Sequence, residues 1–91
     1  MDELCLRRLT EIRTILENKR SELDLPAVSS ISFEKEVELA KSITNRCKAN
    51  ELLAIRQKIE KLIPDSDEIL SSINEIIGDI NEVIDNENKA I

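Results

Sequence analysis

The sequence predicts an all-α fold, a small antiparallel bundle of four helices, and three observations carry that expectation. Charged residues make up 35 % of the chain, while one Gly and two Pro leave few places to turn; that profile belongs to long helices rather than hairpins. The hydrophobic 41 % is nearly all aliphatic, with Phe33 as the sole aromatic residue. These aliphatic residues recur at steps of three and four, which lines one side of a helix. At 91 residues the chain is expected to form one domain, near the size where a single core is only just sufficient.

The first helix is expected over residues 3–23, capped by Asp2. Cys5, Leu9, Ile12, Leu16 and Leu23 form its apolar stripe, widened by Leu6 and Ile15. Lys19 falls on that stripe, where its stem can lie along the core while the ammonium reaches water. Residues 24–32 read as a connection, because Pro26 disfavours helix at Leu25 and Ser29, Ser30 and Ser32 supply turn chemistry. Leu25, Val28 and Ile31 are expected to close one end of the bundle.

A second helix, 33–48, shows Phe33, Val37, Ala40 and Cys47 as its stripe, with Ile43 and Thr44 beside it. After Asn50 the apolar residues become Leu52, Ile55, Ile59 and Leu62, one residue out of step. One residue is about 100° of rotation on a helix, so a straight helix over 33–63 would have to bury two different sides. A break near Ala49–Asn50 is therefore favoured, with Asn50 in a left-handed turn that ends one helix and caps the next. The alternative is three helices with one long central helix. The third helix then covers 51–63 and stops at Pro64.

The fourth, 66–86, opens on Asp65 and Glu68 in capping-box spacing. Ile69, Ile73, Ile76, Ile80 and Val83 make one apolar row, and Leu70, Ile73, Ile77, Ile80 and Ile84 a second beside it. A face that wide exceeds a two-stranded coiled-coil seam and predicts two neighbouring helices. Fraying is expected after about residue 85, where Asp85 and Glu87 oppose the helix dipole. Gly78 reads as a tolerated surface glycine.

Charge is uneven. The net charge is −6, and the whole excess of acid lies in residues 62–91, whose only base is Lys89. That surface is unsuited to nucleic acid or to an anionic membrane. The first helix, with Arg7, Arg8, Arg13, Lys19 and Arg20, is the expected internal neighbour of the acidic fourth. No stretch approaches the ~20 apolar residues needed to span a bilayer, and the N-terminus lacks the apolar run of a signal peptide. Cys5 and Cys47 are expected as two buried thiols in a reducing cytosol, since small secreted domains usually carry several disulfides.

Catalytic chemistry is sparse. With no His, Ser-His-Asp and Cys-His nucleophiles and His-based metal sites are excluded. One Gly excludes phosphate loops, two distant cysteines fall short of the four ligands of structural zinc, and no buried pair of charged groups is evident. Asp65-Ser66-Asp67 resembles the Asp-Ser-Leu phosphopantetheine site of acyl carrier proteins, but Asp67 stands where that family has Leu. Asp65, Asp67, Ile69 and Ser71 begin like a calcium loop, yet Leu70 and Ile76 stand where Gly and Glu are required. The expectation is thus a non-catalytic cytoplasmic protein–protein interaction module, with no cofactor and no metal. Docking is assigned to the apolar flank of Leu70, Ile77 and Ile84 and to the acids Glu75, Asp79, Glu82 and Asp85, against a basic protein surface or a second copy in a homodimer. Alternatives are a small inhibitor, immunity or antitoxin-type protein covering a basic site, and, more remotely, an acidic carrier protein.

Overall fold

Four helices form where the aliphatic spacing places them: α1 Glu3–Leu23, α2 Glu34–Arg46, α3 Asn50–Glu60 and α4 Ile69–Lys89. The computed structural model describes residues 2–23, 32–63 and 66–89, and among these no strand occurs. The expected roles of Leu25, Val28 and Ile31, and of Pro64 and Asp65, lie outside the described residues. Each helix has two neighbours: α1 packs on α2 and α4, and α3 packs on the same two. Cross-links join the end of one helix to the start of the next, Lys19 to Glu36 and Lys58 to Glu75, so neighbours run antiparallel around a square.

Most of the core comes from the rows read in the sequence, while in α2 Glu36 and Ile43 are buried in place of Val37, which is only partly covered. Cys5, Leu9, Ile12 and Leu16 of α1, Leu52, Ile55 and Ile59 of α3, and Ile69, Ile73, Ile76, Ile80 and Val83 of α4 are all buried. Ile77 joins them, so α4 reaches α1 and α3 at once, as its breadth requires. At the start of α1, Asp2 Oδ1 accepts the Leu4 amide at 3.0 Å, which is the expected cap.

Three local expectations are corrected. The α2–α3 break is present, but its residues are extended rather than left-handed: Cys47 has φ −119° and ψ 106°, Ala49 φ −106° and ψ 140°, and Asn50 is already helical. A short extended link reorients the chain by itself, so no left-handed cap is needed. Helix α4 begins at Ile69 rather than at 66, after a turn in which Ser66 Oγ accepts the Glu68 amide at 3.2 Å. It also continues past residue 85 to Lys89, against the dipole argument.

The cysteines are not free. Cys5 and Cys47 form a disulfide across 42 residues of sequence. Antiparallel packing brings the start of α1 and the end of α2 to the same end of the bundle, and spacing along the chain does not reveal that. A buried charged pair is also present. Glu36 is fully buried, and both of its carboxylate oxygens accept from Lys19 Nζ, at 2.8 and 2.7 Å. Lys19 also donates to the Ser32 carbonyl and lies 5.0 Å from the centre of the Phe33 ring. Its ammonium is therefore engaged by the fold while the side chain stays partly exposed.

Candidate interaction surface

Helix α4 presents different chemistry on each side, and its neighbours decide which groups stay available. The isoleucine row faces the core. Toward α1 lie asparagines: Arg13 Nη1 donates to Asn81 Oδ1 at 2.7 Å, and Arg20 Nη1 to Asn74 Oδ1 at 2.8 Å. The basic helix and the acidic helix are neighbours as expected, but they meet through neutral amides, which leaves the α4 carboxylates for other partners.

Toward α3, Lys58 Nζ meets Asp79 at 2.6 Å and Glu75 at 3.1 Å. The hydrogen bond to Asp79, then the one to Glu75, holds the Lys58 ammonium above its ordinary pKa. Glu82 and Asp85 are exposed, and among the described residues neither has an ion-pair partner. Gly78 is also exposed, and a Cβ added there would meet nothing within 4 Å, so it is a plain surface glycine.

The apolar part of the predicted surface is reduced. Ile77 is a core residue, Ile84 is half-buried against the core, and Leu70 alone is exposed, at 37 %. What remains accessible is a cleft of about 250 Å³ between α3 and α4. It is lined by buried Ile55 and Val83, small Ala54, Glu51, Glu82 and Asn86, and by the paired Lys58 and Asp79.

Two further clusters serve the scaffold. Asp2, Cys5 and Cys47 bring three potential ligand atoms within 4.8 Å of one another. In the disulfide the two sulfurs are bonded to each other, while the Asp2 carboxylate accepts from Arg46 Nε at 2.5 Å. That bond, with the Leu4 amide, holds the Asp2 carboxyl below its ordinary pKa. Lys19 and Glu36 hold each other, the carboxylate buried and the lysine partly exposed, and the pair fastens α1 to α2. Sequence reasoning missed this pair, although a signal was present. Glu36 lies in a row with Phe33, Ala40, Ile43 and Cys47, and Lys19 lies in a row with Leu16 and Leu23. Opposite charges in apolar rows on either side of one connection mark a buried bridge.

The geometry defines a helical bundle with an acidic cleft along its fourth helix. Comparison with known protein families, curated proteins and solved structures finds no match.

Proposed function

We propose that the chain is a non-catalytic protein–protein interaction module, an adaptor or regulatory bundle that docks a basic partner surface through the acidic side of α4. The observation that carries this reading is the uneven pairing of the α4 acids. Glu75 and Asp79 are engaged by Lys58, whereas Glu82 and Asp85 stand exposed with no cation among the described residues. Exposed charge of one sign steers encounter and selects partners more than it adds raw affinity. The apolar contribution comes from Leu70 and the edge of Ile84, a smaller strip than the sequence suggests.

No helix is long and apolar enough to cross a membrane among the described residues. A cytosolic location is part of this proposal, and the Cys5–Cys47 disulfide is the observation that weighs against it.

The test is capture from the native extract at two salt concentrations, with the wild-type chain and a Glu82→Lys/Asp85→Lys variant as parallel baits. The reading requires a discrete protein held by the wild type at low salt, released at high salt, and absent from the variant. Identical capture by both baits sinks it. Light scattering on the same proteins identifies a second copy as the partner if a dimer is seen and the charge reversal dissociates it.

A further inference from the structure

Between α3 and α4 the Lys58 site repeats without its lysine. Lys58 is held by Asp79 and Glu75. One turn and then two turns toward the start of α3, its place is taken by Ala54 and Glu51, and one turn along α4 Asp79 gives way to Glu82. Ala54, Glu51 and Glu82 line one cleft together with Lys58 and Asp79, whose charges are paired with each other. Acids from two helices therefore share one opening, and the short Ala54 side chain leaves empty the space that a lysine fills next door. Neither Glu51 nor Glu82 has an ion-pair partner among the described residues.

The size of the cleft limits what it can hold. About 250 Å³ is below the ~300–1,000 Å³ of sites for small-molecule ligands, and suits one long side chain. Its walls are mixed in the same way as such a side chain: Ile55 and Val83 suit an aliphatic stem, and the carboxylates suit a cationic head. Lysine and arginine bury their stems on apolar surface and keep the charge at a polar rim. Arginine presents its donors as a planar fork that carboxylates match.

Resting on the docking function above, we infer that the α3–α4 cleft is an anchor socket for one cationic side chain, arginine in preference to lysine, projected by the partner protein. Interfaces concentrate their energy in such desolvated anchors, and Arg is among the residue types enriched there.

The experiment is an amide-resolved NMR titration of the full chain with a capped helical peptide carrying one central arginine. The control peptide has citrulline, the neutral isostere, at that position. The socket requires saturable shifts centred on Ala54, Val83 and Asn86. Binding must weaken by roughly tenfold or more with citrulline, the cost of losing a charged hydrogen bond. Ala54→Lys, at an exposed position, supplies the missing cation from within and must abolish binding while the fold persists. Shifts centred on Gly78 and Asp85 and indifferent to Ala54→Lys would overturn the socket and leave docking through α4 standing. Absence of any saturable shift overturns it as well, while the docking function is judged separately by the capture comparison.

Discussion

Helices α1 and α2 are clasped at both ends, by the Lys19–Glu36 pair at one and by the Cys5–Cys47 disulfide with the Asp2–Arg46 bridge at the other. Helices α3 and α4 meet through aliphatic packing and one partly exposed lysine, with a cleft left between them. The first pair holds the frame through these fasteners. The second keeps a surface open. A bundle of this length has little stability to give away, and the contrast shows how an unsealed seam is tolerated: the fastening sits in the other half.

The strongest way to break this contrast is Lys19→Met. Glu36 would remain fully buried with no cation, and removing one partner of a buried pair costs about 3–5 kcal/mol. Urea unfolding measures it. Replacing both partners, Lys19→Met with Glu36→Leu, is expected to restore most of the loss, because the penalty lies in the orphaned carboxylate. If the single variant does not fold, the double variant still decides the matter. A single variant as stable as wild type would mean that the clasp holds nothing.

Next in size is the disulfide. It closes a loop of 42 residues, and constraining the unfolded chain to that extent is worth about 2–4 kcal/mol. Cys5→Ala/Cys47→Ala and the reduced wild type should lose similar stability, with unchanged helix content at room temperature by circular dichroism. An unfolding midpoint indifferent to reductant would remove one end of the α1–α2 fastening.

These two fasteners are also what the sequence concealed, and the reason is physical. Rows such as Cys5–Leu9–Ile12–Leu16 and Ile69–Ile73–Ile76–Ile80–Val83 are local, because helical geometry alone brings their members together. The one-residue offset between the Phe33–Val37–Ala40–Cys47 row and the Leu52–Ile55–Ile59 row is local too, and it predicts the α2–α3 break. The Cys5–Cys47 bond depends on which way two helices run, and Glu36 in an apolar row reads as a surface residue until Lys19 is seen opposite. The acids of α4 were legible as a group. Which of them remain available was not, since that depends on the register that places Lys58 between Glu75 and Asp79. Ile77 belongs both to the second apolar row and to the assigned docking flank, and the packing of α4 against its neighbours puts it in the core.

A smaller effect, of opposite sign, is expected on the open side. Gly78 is helical and exposed, with no atom within 4 Å of an added Cβ. Gly78→Ala should therefore raise stability by about 0.5–1 kcal/mol, since glycine costs that much in a helix interior. Thermal melting reads the gain. A loss instead would show that the helix needs glycine where no contact calls for it.

The smallest effect separates the two halves by pH. The Asp2 carboxyl is lowered by Arg46 and by the Leu4 amide, so its folded state prefers the ionised form. That stabilisation is present above the ordinary Asp pKa of about 3.9 and is lost as pH falls through the lower folded value. The Lys58 ammonium is raised by Asp79 and then Glu75, so its contribution is complete below the ordinary Lys pKa of about 10.4. It disappears as pH climbs through the higher folded value. Both groups are solvated, so these effects are the smallest of the set. Asp2→Asn should flatten the acid limb of the stability–pH curve and leave the alkaline limb as it is. Lys58→Met should do the reverse, because the two bridges sit on opposite halves with no shared partner. If either substitution flattened both limbs, the halves would be electrostatically coupled, and the division between a fastened pair and an open pair would not hold.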